Sequence, residues 1–148
     1  MAVKPVPDGY HSVQLYMMVK SAKDLVAFLE NVFDGTVIER MVAPDGRLMH
    51  AEVRIGDSVI MLADAQDPWP VTSSAAYIYV PDVDATYKRA LGAGATSVME
   101  PANQFYGDRH GGVKDEFGNF WWIATRVENV SREEIERRAK EHMQNRKS

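Results

Sequence analysis

The secondary-structure signals in this chain run through one order twice, and that repetition limits its folds more than any single motif does. Residues 10–19, YHSVQLYMMV, read as a strand. Ser21 then stands as an N-cap, and Leu25, Val26, Phe28, Leu29 and Val32 fall on one helical stripe. A strand from Thr36 to Met41 leads into the reversal APDGR, an alternating strand LMHAEVRI and a last strand in GDSVIMLA. The second half offers AAYIYV as strand, DVDATYKRALGAG as helix, TSVMEP and HGGVKD as strands, EFGN as turn and FWWIAT as strand. Val19-Lys-Ser matches Val80-Pro-Asp at the strand-to-helix joint, and Gly56-Asp-Ser-Val matches Gly118-Asn-Phe-Trp at the last hairpin.

A half with one helix and a small sheet leaves a sheet face uncovered. The expected fold is therefore α+β: two βαβββ modules forming a curved mixed sheet around a concave cavity, with the helices outside. The modules span residues 10–66 and 73–128, followed by a C-terminal helix and tail over 131–148. The concavity is the natural place for a ligand.

Charge and composition narrow the partners. A net charge of -4 with scattered Lys and Arg argues against nucleic acid, which calls for a basic face. The complete lack of cysteine removes disulfides, thiolate metal sites and a cysteine nucleophile, and it suits a reducing compartment. No apolar run approaches the roughly 20 residues that span a bilayer, and the opening MAVKPVPDGYHSV has no signal-peptide core. The expectation is a cytoplasmic protein that binds neither nucleic acid nor membrane.

The double βαβββ order, the segment HAEVRIGDSVIMLAD and the closing YGDRHGGVKDEFGNFWWIATRVENVS resemble the vicinal-oxygen-chelate superfamily of glyoxalase I, bleomycin-resistance proteins and extradiol dioxygenases. Within it the chain is most similar to the PhnB-like branch, over about residues 10–130. The resemblance implies that metal-using members place ligands on the first and last strand of each half. Registering those strands by the helix entry and the final hairpin lands on Gln14, Met61, Ala75 and Trp122. Of these only Gln14 offers a donor suited to Zn, Ni or Fe, so neither metal nor other cofactor is expected. The resemblance also implies a homodimer.

Alternation assigns the faces. If Gln14 points into the cavity, so do Tyr16 and Met18, leaving Val13, Leu15, Met17 and Val19 for the helix. On the third strand His50, Glu52 and Arg54 turn inward, while Met49, Ala51 and Val53 turn to the helix. Tyr77 and Tyr79 join Ala75, and Phe120 joins Trp122, with Trp121 and Ile123 packed outside. The expected ligand-binding set is Gln14, Tyr16, Met18, His50, Met61, Tyr77, Tyr79, Phe120 and Trp122, a lining that favours a flat or partly apolar molecule.

Catalytic candidates are His50 and Glu52, which share a strand face and form a possible acid–base pair, and Arg109, whose fork suits an anion. An exposed face accounts for His50 and Glu52 equally well. Asp108 and Arg109 are expected to form a local ion pair, His110 to be structural, and Asp115 and Glu116 to serve a turn. Tyr106 and Trp69 fall in loops able to cover the cavity. In the C-terminal helix, Ser131 with Glu134 forms a capping box, and Ile135, Ala139 and Met143 give a narrow stripe for weak docking on the body or on a second subunit.

Three functions remain open at this point. One is metal-free binding of a small organic molecule. Another is a metal-independent isomerase or lyase that uses His50 or Glu52, and the third is a metal-dependent lyase or dioxygenase with unrecognised ligands.

Overall fold

The computed structural model describes residues 2–147. The chain divides into two compact units, residues 1–74 with 116–119, and residues 75–115 with 120–148.

The first unit contains β1 (Leu15–Val19), α1 (Ala22–Phe33), β2 (Thr36–Val42), β3 (Leu48–Ile55) and β4 (Ser58–Asp64). Its sheet runs in the order β1-β4-β3-β2, with β1 parallel to β4 and the other neighbours antiparallel. The apolar stripe of α1 finds its partner here: Leu25, Val26, Leu29 and Val32 are buried with Met17, Val19, Ala51, Val53, Ile60 and Leu62. Those strand residues belong to one face, since Met17 pairs with Leu62 and Leu62 with Ala51. Met49, expected with them, is exposed at the end of β3, where an irregularity between Met41 and Val42 breaks the ladder.

Two local expectations change. β1 begins at Leu15 rather than Tyr10, because residues before it turn: Gly9 adopts φ 85, and the Tyr10 N–H donates to Pro7 O at 3.1 Å. Ser21 does sit at the N-cap of α1, but its hydroxyl donates to Asp24 Oδ2 at 2.8 Å instead of accepting from the helix. The capping group comes from β4. Asp64 accepts from Ala22 N–H at 2.6 Å through one oxygen and from Leu48 N–H at 2.8 Å through the other.

The second unit repeats the plan with β5 (Ala75–Tyr79), α2 (Val83–Gly92), β6 (Thr96–Asn103), β7 (Asp108–Lys114) and β8 (Phe120–Arg126), in sheet order β5-β8-β7-β6. Again the first and last strands are parallel. Trp121, Ile123 and Val113 are fully buried on the face that also takes Val83, Tyr87 and Ala90 of α2. Asp82 caps α2 with a side-chain bond from Ala85 N–H. The duplication reaches into the hydrogen bonding: Val83 N–H donates to Thr125 Oγ1 at 2.9 Å, the counterpart of Ala22 to Asp64 and likewise 42 residues apart. β6 continues through Pro101 because it is an edge strand with irregular pairing, where a missing N–H costs little.

The final helix, α3 (Arg132–Lys147), follows the second sheet. Half of the expected capping box forms, Glu134 N–H to Ser131 Oγ at 3.2 Å. Glu134 does not reach back; its carboxylate binds Arg137 and Arg138, which hold its pKa down to about 2. Docking relies less on the apolar stripe than on Arg138, which donates to Phe105 O and pairs with Glu128 at 2.8 Å, and on a ring contact between Phe105 and His142. Met143 stays exposed. Among the described residues no helix is long and apolar enough to cross a membrane.

Candidate functional site

Each sheet has one face covered by its helix and an opposite face that is not, and the site residues gather on the uncovered faces. In the first unit Tyr16 pairs with Met61 and Met61 with Glu52, so these three side chains stand in one row. Met18 and His50 flank them. Glu52 is only 6% exposed although it lies on this face. A chain of hydrogen bonds explains how a carboxylate is kept there. Tyr10 donates its hydroxyl to Glu52 Oε1 in a short bond, and His50 Nε2 lies 2.8 Å from Oε2. At the other side of the ring, Tyr16 Oη is 3.1 Å from His50 Nδ1. Because an ionised carboxylate only accepts, Nε2 carries the hydrogen toward Glu52; in the neutral ring Nδ1 then accepts from the Tyr16 hydroxyl.

These bonds set the acidities. The hydroxyl of Tyr10, then the imidazole of His50, stabilise ionised Glu52 against the cost of burial and hold its carboxyl below the ordinary range. The same bond raises the pKa of Tyr10, which keeps its proton to donate to Glu52. Sequence reasoning placed His50, Glu52 and Tyr16 on this face and missed Tyr10, which it assigned to a strand. The turn signal Pro7-Asp8-Gly9 was the available clue.

Glu39 is the other unanticipated member. Val37 pairs with Val53, but the next pair is Glu39 with Glu52, so Ile38 is an extra residue in β2. A regular ladder would set Ile38 opposite Glu52; the bulge swings Glu39 onto the open face instead. Ligand atoms of Glu39, His50 and Glu52 then lie within 4.8 Å of one another, a grouping able to hold a metal ion.

Gln14, the sole potential donor among the superfamily's chelating positions, has its Oε1 bound to His11 N–H at 2.7 Å. Met61 occupies the corresponding place on β4. In the second unit the equivalent positions are Ala75 and Trp122, with Trp122 paired to Tyr77 just as Met61 is paired to Tyr16. A methyl group and an indole supply no ligand, so the positions that the resemblance picks out offer no donor set that fits a metal.

The uncovered face of the second sheet is aromatic. Trp122 stacks with Phe120 at a centroid distance of 6.3 Å and an interplanar angle of 17°. His110 lies 5.6 Å from Trp122 and 4.9 Å from Tyr77, and its Nδ1 is 2.9 Å from Tyr106 Oη. Burial lowers the pKa of His110, against a smaller opposing pull from Asp108, so the ring is neutral near pH 7. Tyr77 and Tyr79 both donate to Asp108 Oδ2, at 2.7 and 2.9 Å. Burial, then the bond to Asp108, raises the pKa of Tyr77; for Tyr79 the bond comes first. With their hydroxyls tied down, both rings stay partly exposed. Trp122 lies over β7 because Gly112 opposite it has no side chain: a Cβ there would come within 2.5 Å of the indole carbons.

Two expectations are corrected by strand alternation. Asp108 and Arg109 point to opposite faces and do not pair; Asp108 meets Arg126 at 3.3 Å. Arg109 faces the helix, where Nε and Nη2 clasp Asp84 at 2.7 and 2.9 Å, so it is absent from the uncovered face and unsuited to orienting an anion there. Asp115 does more than turn the chain, accepting from Trp121 Nε1–H at 2.8 Å in the core. Trp69 is exposed and bridges to Gln66. A shallow depression of about 380 Å³ beside Arg126, Asn129, Val130 and Ser131 was not anticipated, and of its lining Arg126 touches the tyrosine network through Asp108.

Two βαβββ modules, each with a parallel pair formed by its first and last strands, define a duplicated α+β class. The chain belongs to the Glyoxalase/Bleomycin resistance protein/Dioxygenase superfamily, matching that family over residues 11–123. It is 35% identical over 132 residues to the uncharacterized protein Mb0911c of Mycobacterium bovis, covering 82% of this chain and 87% of the relative. Among solved structures it shares its fold with TioX from Micromonospora sp. ML1, at a TM-score of 0.64 and 23% identity over 78% of this chain and all (100%) of the other. It is also similar to the PhnB protein of Bacillus cereus, at a TM-score of 0.64 and 15% identity over 78% of this chain and 99% of that one.

Proposed function

We propose that the protein binds a small organic molecule, aromatic or partly apolar, against an uncovered sheet face, in a site that uses no metal. The observation that supports this most is the exposure of large rings on the uncovered faces. Tyr16 and Tyr77 are each 45% exposed and Tyr79 is 58% exposed, alongside half-buried Met18, Met61, Phe120 and Trp122. Covering such a surface is favourable at about 25 cal/mol per Å² of apolar area, and rings fixed by hydroxyl bonds lose little entropy when a ligand stacks on them. Thioethers adapt to its outline. The reading includes a homodimer, tested by light scattering, and a cytoplasmic setting, in keeping with the absence of cysteine.

Equilibrium dialysis and thermal-shift screening against aromatic antibiotics and metabolites test the proposal. The expected result is saturable binding that weakens at least tenfold in Trp122→Ala or Tyr16→Ala. Hits that bind both variants as tightly as the parent chain would remove these faces from the site.

A second reading draws on a different observation, the hydrogen-bonded line Tyr16, His50, Glu52, Tyr10. Glu52 fixes the imidazole tautomer, leaving Nδ1 as a base beside a hydroxyl that relays a proton, which is the equipment of a metal-independent isomerase or lyase. If a substrate is found, a His50→Ala, Glu52→Gln double variant that keeps full turnover would end this reading.

A further inference from the structure

We propose that Glu39, His50 and Glu52 form a binding site for a divalent first-row transition cation, distinct from the superfamily's chelating positions. Three potential ligand atoms, two carboxylate oxygens and an imidazole nitrogen, lie within 4.8 Å of one another on adjacent strands. One nitrogen and two oxygens suit Zn²⁺, Mn²⁺, Fe²⁺ or Ni²⁺, while the imidazole makes Mg²⁺ and Ca²⁺ poorer matches.

The grouping depends on a specific distortion. Without the extra residue in β2, Ile38 would stand opposite Glu52; with it, Glu39 does. Setting two carboxylates directly opposite each other is unfavourable without a positive charge between them. A bulge that creates this juxtaposition is accounted for if a cation bridges the pair, and bulges that re-aim one side chain cluster at functional sites.

The surroundings of the three groups fit the same role. A metal-bound histidine ordinarily engages its second nitrogen with a fixed partner, and ligating carboxylates are themselves hydrogen-bonded. Here Tyr16 Oη is 3.1 Å from His50 Nδ1, and Tyr10 holds Glu52 Oε1, so Nε2 and Oε2 are the atoms directed at the shared position. On cation binding the hydrogen on Nε2 moves to Nδ1, which then donates to Tyr16 Oη. Glu39 is exposed and Glu52 buried, so the site opens to solvent on its Glu39 side. Cation and proton line compete for two shared side chains, His50 and Glu52. Bound metal therefore switches off the proton transfer of the second functional reading, while stacking on Trp122 in the other unit needs neither.

The test is calorimetric titration of Zn²⁺ alone into chelator-treated, dialysed full-length protein. One saturable event is expected, weakened at least tenfold by Glu39→Gln and restored toward the parent affinity by Glu39→His. Glu39 is exposed, so these variants fold, with a metal-free Tm no lower than the parent's, which a melting curve checks. A His11→Ala variant, which removes the exposed imidazole near Asp57, should bind zinc unchanged. Absence of saturable binding, or a Glu39→Gln variant that binds like the parent, overturns the inference. Neither outcome bears on the organic-ligand screen, whose result is read in metal-free buffer.

Discussion

Asp64→Ala should be among the most damaging single changes outside the buried apolar core, whereas Ser21→Ala should be nearly silent. Sequence logic gives the opposite order, because a serine at an N-cap is normally worth about 1 kcal/mol. In the structure the Ser21 hydroxyl donates to exposed Asp24 and satisfies no helix N–H. Asp64 holds two backbone donors at once, Ala22 N–H at 2.6 Å and Leu48 N–H at 2.8 Å, joining the start of α1 to the start of β3. A hydrogen bond to a charged acceptor contributes roughly 1.5–3 kcal/mol, so two give about 3–6 kcal/mol. The site is partly open, and water can reach the freed N–H groups in the variant, which brings the expected loss to about 2–4 kcal/mol. For a chain of this length each kcal/mol moves Tm by about 2–4 °C, so Asp64→Ala should melt roughly 4–16 °C lower. Ser21→Ala should stay within about 0.5 kcal/mol, a shift of 2 °C or less. Calorimetry with matched urea titrations measures both. If Ser21→Ala costs as much as Asp64→Ala, the assignment of the cap to β4 is wrong.

Glu52 has a carboxyl pKa depressed below the ordinary 4.5, so the unfolded chain takes up its proton first as pH falls. The stability it contributes is complete above 4.5 and is lost as pH drops through the depressed folded value; Glu52→Gln should lower the unfolding free energy from urea titration at pH 7 by about 1–3 kcal/mol and flatten its pH dependence below 4.5. An unchanged acid limb in that variant would contradict the hydrogen-bond account. Gly112→Ala would place a methyl group within 2.5 Å of the Trp122 ring. It should cost about 1–3 kcal/mol, alter the near-ultraviolet circular dichroism of Trp122 and weaken any ligand that stacks there; a variant with parent stability and spectrum would show that the indole does not lie over that strand.

Much of this molecule follows from local periodicity. Alternation along Leu48–Ile55 and Phe120–Arg126 separated helix-facing Ala51, Val53, Trp121 and Ile123 from His50, Glu52 and Trp122, because successive strand residues must point to opposite faces. The twofold recurrence of strand, helix and three strands was legible for the same reason, and with it the family.

Tertiary structure alone decided the rest, wherever a partner is remote in sequence or a ladder is irregular. Tyr10 reaches Glu52 across 42 residues, and Arg109 reaches Asp84 across 25, neither separation leaving a periodic trace. Glu39 is the sharpest case: the strand pattern of Thr36–Val42 assigns it to the helix side, and one inserted residue in the pairing reverses that. A sequence specifies which side chains alternate, but only the paired strands fix where the count begins, and here that count brings a second carboxylate beside His50 and Glu52.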